Sequence, residues 1–311
     1  MRAIVVFASR ESLPVLQRSI DAARAAAAPA GLYRIEVVVN GNPPLAQALA
    51  QAQPGVRSSG PAVPLRVWSI ALGDKANAWS QYFHAIWQGE ALAFFMDGYV
   101  RPNPDAAQLL GDAVLRDPVA LGGSGVPTVG RTARALRSDM LQHGGFHGNF
   151  CCIKGEVIAQ WRAEGFRLPV GLYRGDSLLG AVLRFGLRPQ SEAWNPRRIH
   201  VHGDASWTTD AKRWWSPADL LGQLRRLRRQ ARGLLENEAV KHHFLKLREA
   251  PTALPPTADA LIRGWAAACS QEARALQKRR PLVRREIGRT MAPAPCPDAA
   301  ARQVRLIQEL A

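Results

Sequence analysis

The sequence predicts an α/β fold, a mostly parallel sheet flanked by helices, followed by a basic, mainly helical C-terminal region. Three observations carry this. Short, wholly apolar runs alternate with helix-like segments through the N-terminal third. Polar residues stand immediately after several of those runs. Beyond about Ser216 the pattern changes to long helical periodicity rich in arginine.

Taken in order, residues 3–8 (AIVVFA) read as a buried strand and 13–28 as a helix. Residues 35–39 (IEVVV) form a second buried strand, which ends at the turn-like Asn40-Gly41-Asn42-Pro43-Pro44. After a variable Pro/Gly-rich stretch, residues 65–70 make a third strand. A helix from about 75 to 87 and a fourth strand, 92–96 (LAFFM), follow. Sheets of this kind bind ligands beyond the carboxyl ends of their strands. That places Ser9, Arg10, Asn40, Asn42 and Asp97 where a ligand would lie.

Residues 122–154 are Gly-rich and show few helix signals, which suits extended segments and loops lining a cleft. Residues 177–185 read as a helix and 198–202 as a short strand. Ser216-Pro217-Ala218-Asp219 is a helix start, with a capping serine and proline at the first position. Leu220, Leu221, Leu224 and Leu227 then mark an apolar stripe against Arg225, Arg226, Arg228, Arg229 and Arg232. Helical segments continue to the C-terminus, broken by residues 251–256. The implied division is 1–204 for the sheet domain and 205–311 for the basic region.

The net charge of +16 is uneven. Residues 1–196 carry 19 basic and 14 acidic side chains, residues 197–311 carry 22 and 11, so the excess lies in the C-terminal third. Basicity implies an anionic partner: a phosphate-bearing substrate, an anionic lipid or nucleic acid. No nucleic-acid-binding motif of the usual kinds is present, which makes the last the weakest of the three. No apolar run approaches the roughly 18 residues of a membrane span. The N-terminus lacks the long apolar centre of a secretion signal. The expectation is a cytoplasmic protein, with peripheral attachment to the inner membrane face as an option for the basic helices. The four cysteines have no C-x-x-C spacing, and Cys151-Cys152 reads as a pair of small buried thiols.

The chemistry-bearing segments come in a definite order. Gly73-Asp74-Lys75-Ala76-Asn77-Ala78-Trp79-Ser80 precedes a helix, then a buried strand ending in Asp97-Gly98-Tyr99, then Pro102-Asn103-Pro104-Asp105. Farther on stand Gly165-Phe166 and Arg174-Gly175-Asp176-Ser177-Leu178-Leu179, with Gly186 ten residues after Asp176. In these segments, over about residues 3–190, the chain resembles glycosyltransferase family 2. The resemblance implies the GT-A fold and a transfer of sugar from a nucleotide diphosphate sugar, with UDP favoured, to a hydroxyl of a glycan or a lipid-linked acceptor. It implies Asp97 at the metal or donor ribose, Lys75 near the nucleotide and Asp176 as the catalytic base.

Those residue types suit the reaction. Charge builds on the departing diphosphate, and a metal ion or cationic side chains must offset it. Oxygen ligands suit Mg²⁺ or Mn²⁺. An inverting transfer needs a base for the acceptor's proton. The chain departs from the family pattern in four places. Tyr99 replaces the second carboxylate of the D-x-D segment and Gly175 the first of the E-D pair. Asn40 stands where an Asp usually contacts uracil, and Ser80 where an Asn is usual.

His200 and His202 alternate on a strand and so share a face; a late histidine of this type could supply a metal ligand beside Asp97. His147 and Asn149, in a polar Gly-rich loop, are candidates for acceptor hydroxyls, and Arg174 for a phosphate. Trp207, Trp214 and Trp215 read first as core residues. Two other readings stay open at this point: a nucleotidyltransferase on a similar sheet, and a non-enzymatic binder of anionic surfaces or nucleic acid through the arginine-rich helix.

Overall fold

A computed structural model describes residues 1–27, 33–52, 63–130, 132–210, 217–292 and 296–310; for residues 217–226 and 310 it describes the backbone alone. Four strands form a parallel centre: β1 (Arg2–Ala8), β2 (Tyr33–Asn40), β3 (Leu65–Ile70) and β4 (Leu92–Asp97), side by side in the order β4-β1-β2-β3. Their apolar runs are continuous rather than alternating because helices cover both faces. Helices α1 (Leu13–Ala27) and α2 (Pro43–Ala52) pack on one face, and α3 (Lys75–Gln81), extended by a π-turn through Ile86, packs on the other.

The sheet then becomes mixed. Strand β5 (Val100–Pro102) leads to α4 (Ala106–Arg116), on the same face as α1. Strand β6 (Gly122–Pro127), helix α5 (Ala133–His143) and strand β7 (Phe150–Lys154) follow. Helices α6 (Gly155–Ala163) and α7 (Gly175–Arg184) join α3's face. Strand β8 (Ile199–Thr209) lies parallel to β6, while β7 runs antiparallel to both β4 and β6. The tail holds α8 (Pro217–Lys241), α9 (Ala258–Ala268), α10 (Ser270–Arg279), α11 (Pro281–Met291), the short α12 (Ala299–Arg302) and strand β9 (Val304–Leu310). The full order among the described residues is β5-β8-β6-β7-β4-β1-β2-β3-β9.

Several expectations change. The boundary drawn after residue 204 cuts through β8, and the C-terminal region does not end as a helix. Strand β9 returns to pair antiparallel with β3 and closes the far edge of the sheet. Pro43 and Pro44 open α2 rather than a loop, since proline fits a first helical turn whose N–H groups have no partner. Residues 133–143 are helical within the 122–154 stretch expected to be extended or open, and a further helix, 155–163, follows directly after it. On α8, Leu227 is exposed. The buried line runs through Ala231, Leu235 and Ala239 against Leu261, Ile262 and Trp265 of α9 and Val283 and Ile287 of α11. No helix among the described residues is long and apolar enough to cross a membrane.

Candidate active site

The chain lays β1, β2 and β3 to one side and then places β4 on the other side of β1. The crevice beyond the carboxyl ends of β1 and β4 is therefore the point where strand order reverses, the usual ligand site of such sheets. Asp97 closes β4 and shares a face with Phe95, whose ring packs 4.0 Å from that of Trp79 on α3. That packing brings the start of α3 beside the strand end. Asp74 caps α3, accepting the Asn77 N–H at 2.6 Å through one oxygen and the Gly171 N–H at 2.6 Å through the other. The Gly73–Lys75 loop also lies tight against Gly41. Gly41 has φ +70°, and a Cβ there would stand 2.4 Å from the Gly73 Cα, so this crossing requires glycine.

Held in this way, the Lys75 ammonium forms an ion pair with the Asp97 carboxylate, which is 16% exposed. Burial works against the ammonium, but the charge and hydrogen bond of Asp97 prevail, and Lys75 is held above its ordinary pKa. The other Asp97 oxygen accepts the Tyr99 hydroxyl at 2.9 Å; burial and then the Asp97 charge push the Tyr99 phenol up. Lys75 Nζ also lies 3.5 Å from the Gly148 carbonyl. The N–H of that same Gly148 donates to Asp176 Oδ2 at 3.0 Å, while Asp176 Oδ1 accepts the Ser177 N–H in the first turn of α7. One residue, Gly148, thus bridges the Lys75–Asp97 pair and Asp176.

The structure brings Lys75, Asp97, His147, Asn149 and Asp176 together. His147 donates its backbone N–H to Ser124 Oγ at 2.8 Å, and its ring stands 5.5 Å from that of Trp207, which is buried as expected. Burial holds the His147 imidazole below its ordinary pKa, against the pull of Asp176 and Asp97. Asn149 Oδ1 is 3.4 Å from the Tyr99 hydroxyl. Ser9 and Arg10 lie at the end of β1, where both backbone N–H groups donate to Glu11 Oε2.

Other residues stand elsewhere or are already engaged. Asn40 is buried, and its amide donates to the Ala8 carbonyl at 2.9 Å, tying β2 to β1. Asn42 donates to the Ser9 carbonyl and accepts the Leu45 N–H, so it starts α2. His200 and His202 do share a face, their rings 6.0 Å apart, but the structure does not bring them to Asp97. They pair in register with Gly123 and Gly125 of β6, and a Cβ on Gly123 would meet Val114 and Leu110 of α4. The histidines therefore face α4, whereas Asp97 faces α3. With β6 and β7 between β8 and β4, they also lie about 14 Å across the sheet at the usual strand spacing. His202 Nδ1 meanwhile accepts the Asp204 and Ala205 N–H groups. Arg174 points along α8 beside Gly233 rather than into the cleft. Trp214 and Trp215 lie outside the described residues.

Three contributors escaped the sequence reading: Tyr99 as a partner of Asp97, Glu11 at the end of β1, and Glu236 of α8. Glu236 is buried and accepts the Tyr173 and Arg174 N–H groups at 3.0 Å, fixing the loop that leads into Asp176. Two of them offered a signal in the sequence: Glu11 just past a strand end, and Tyr99 two residues after Asp97 in place of the second carboxylate; Glu236 offered none.

Among the described residues no group of three His, Cys, Asp or Glu side chains could enclose a metal ion. Asp97 is the carboxylate at the strand end. One carboxylate together with substrate phosphate oxygens is a common way of holding Mg²⁺-like ions. The residues present thus fit an ion that arrives with a diphosphate, not a preformed cage.

No protein-family model and no curated protein matches the chain. Among solved structures it is similar to the mannosyltransferase PcManGT from Pyrobaculum calidifontis in complex with GDP-Man and Mn²⁺, with TM-score 0.54 and 18% identity over 93% of this chain and 84% of that one. It is also similar, more loosely, to glucosyl-3-phosphoglycerate synthase from Mycobacterium tuberculosis in complex with Mn²⁺, UDP-glucose and phosphoglyceric acid, with TM-score 0.45 and 15% identity over 75% and 78% of the two chains. The first likeness establishes the GT-A glycosyltransferase fold.

Proposed function

We propose that the chain is an inverting glycosyltransferase that moves a hexose from a nucleoside diphosphate sugar to a hydroxyl acceptor. One observation carries the reading. In a GT-A fold, a cation–carboxylate pair (Lys75–Asp97) and a second carboxylate (Asp176) flank a single residue, Gly148, beyond the strand ends. The pair suits the donor diphosphate, where charge develops, and the second carboxylate suits the acceptor proton. Asp97 would hold a Mn²⁺ or Mg²⁺ ion, which supplies charge neutralisation at the departing diphosphate. Lys75 adds a fixed positive charge in the same place, and Asp176 takes the proton of the attacking hydroxyl.

The family resemblance favours UDP, whereas the neighbour's GDP-Man supports a guanine nucleotide equally well. With Asn40 turned to β1, base choice falls to Ser9, Arg10 and Asn42's neighbourhood. The acceptor is a glycan or a lipid-linked sugar of polysaccharide biosynthesis, on the cytoplasmic side, with the basic helices meeting an anionic membrane surface.

The test is Asp176→Asn. General-base catalysis contributes about 10²–10⁴-fold, so turnover should fall by that factor while the thermal shift from the nucleotide sugar stays. A helix-cap role predicts the reverse, since Asn caps about as well as Asp. Near-normal turnover in Asp176→Asn would sink the assignment.

A further inference from the structure

Trp194 stands in the loop between α7 and β8 and is 46% exposed. Its ring meets the edge of Phe185 at 5.2 Å, and the Arg184 guanidinium lies 5.1 Å from its centre. The Arg248 guanidinium in turn lies 5.2 Å from the centre of the Phe185 ring. Leu245 borders the same groove as Trp194 and is 51% exposed. Leu247, beside Arg248 in the chain, is 50% exposed. Large apolar side chains thus gather in water among cations, whereas apolar residues scattered singly would need no account.

The charges left over decide the partner. Among the described residues no carboxylate pairs with Arg184, Arg188, Arg197 or Arg248. The acids nearby are already taken: Glu192 by Arg198 at 2.8 Å, Glu249 by the His243 ring at 3.1 Å and Glu272 by Lys246 at 2.8 Å. Arg248 donates to the Glu192 carbonyl, a neutral acceptor, and Arg184 Nε is buried without an acceptor. Burial holds the Arg184 guanidinium below its ordinary pKa, with no anion nearby to oppose it. Arg188 and Arg197 are exposed. The positive charge gathered here lacks its counter-ions, and arginine meets phosphate oxygens in a two-point fork. A bilayer with anionic lipids supplies both missing partners. Its headgroups meet the arginines and the indole, and its acyl boundary takes the leucines. Nucleic acid would use the arginines and the indole but leave the leucines uncovered.

We propose that this surface, centred on Trp194 and Leu245 and ringed by Arg184, Arg197 and Arg248, docks the chain on an anionic phospholipid bilayer. The inference rests on the membrane contact proposed above and names the surface that makes it: the end of α7 rather than the arginine stripe of α8. None of these residues belongs to the site around Lys75, Asp97 and Asp176, so docking and donor binding can be tested apart.

The experiment is sedimentation of the full chain with vesicles of phosphatidylcholine alone and of phosphatidylcholine mixed with phosphatidylglycerol, at about 0.1 M salt. The chain should sediment with the mixed vesicles and not with phosphatidylcholine, and inorganic phosphate should not release it. Trp194→Ala and Leu245→Asp, both at half-exposed positions, should stay folded by thermal melt and each weaken vesicle binding by about tenfold or more. Arg197→Gln should weaken it by about fivefold, the effect of one arginine close to anionic lipid. Arg116→Gln, at an exposed position of α4 on the other face of the sheet, should change it by less than about twofold. Absence of binding to the mixed vesicles overturns the proposal. So does a loss in Arg116→Gln equal to that in the Trp194 and Leu245 variants, because net charge alone would then attract the bilayer. Release by inorganic phosphate or by polyuridylate overturns it too, since the occupant would be free phosphate or nucleic acid. A wild-type dimer that Leu245→Asp converts to monomer does the same, the occupant then being a second copy. Thermal shifts from nucleotide sugars are read on the same samples. Vesicle binding without any such shift would defeat the transferase reading, and the shift without vesicle binding would defeat the docking surface alone.

Discussion

Glu236→Gln tests whether the C-terminal helices position the Asp176 carboxylate, the proposed base. The Glu236 side chain is 1% exposed, and its two oxygens accept from the Tyr173 N–H, the Arg174 N–H and Arg232 Nε, all at 3.0 Å. Glutamine keeps one acceptor and turns a second donor toward backbone donors. A buried donor left without a partner costs about 1–3 kcal/mol, and removing one member of a buried ion pair costs about 3–5 kcal/mol. Arg232 retains Asp259 at 2.7 Å, which favours the lower end, about 3 kcal/mol. For a chain of this size that is a fall in Tm of about 4–6 °C. Hydrogen exchange should speed up in residues 171–177, two strands of evidence from one sample. A misplacement of about 1 Å at a reacting group costs on the order of 10²-fold, so turnover should drop strongly while the donor's thermal shift is kept. Wild-type Tm, exchange and turnover in Glu236→Gln together would refute the positioning argument.

Three further outcomes are expected. Gly41→Ala forces a side chain into φ +70° and onto Gly73, so it should destabilise by about 1–3 kcal/mol and weaken nucleotide-sugar binding through Lys75, read by thermal melts with and without ligand. Asp97→Asn should abolish the part of the nucleotide's thermal shift that chelator removes from wild type; an unchanged chelator effect would place the ion elsewhere. His147 sits below its ordinary 6.5 because it is buried, so the unfolded chain takes up the proton first. Its contribution to stability is present above about pH 6.5 and is lost as pH falls toward the folded value, a loss that His147→Gln should remove from denaturant melts compared at about pH 7.5 and pH 5. His84, His200 and His243 are held low by burial as well, so wild type keeps part of the slope in that variant.

The parallel centre was legible because its strands are buried on both faces and so read as unbroken apolar runs. Residues 65–70 match β3 at both ends, and 92–96 match β4 but for Asp97. The placement of Asp97 at a strand end, and of Lys75 and Asp176 at helix starts, was legible because local sequence fixes it. What failed depended on partners distant in sequence. Strand β9 exists because the β3 edge is open to it, and residues 304–310 have no clean alternation to announce that pairing. The parity of His200 and His202 was read correctly, but their face is set by the pairing of β8 with β6, which no local pattern encodes. Asn40 and Asn42 had the right location for ligand contact. Backbone groups of β1 took their amides first, since buried or turn-forming polar groups must be satisfied.

The same distant pairings explain why a basic tail belongs to this sheet. Asp74 joins the Lys75 loop to the loop before α7, since its carboxylate accepts from Asn77 and Gly171 together. Asn77 in turn donates to the Arg302 carbonyl, and the Leu72 N–H donates to the Ala301 carbonyl, so α12 grips the Lys75 loop from its outer side. Glu236 of α8 grips the loop before Asp176, and Val170 pairs with Thr257 at the start of α9. Residues 205–311 thus hold both loops that deliver the site's charged groups, one by its last helix and the other by its first. Their separation across the cleft is set by the tail as much as by the sheet. The sheet side already pins both groups, Lys75 through Asp97 and the packing of Gly73 on Gly41, and Asp176 through the Gly148 N–H and the buried face of α7. The tail adds a second hold on each loop from its outer side, so on the proposed function the charged groups are positioned before substrate arrives, which is what preorganised electrostatic catalysis requires.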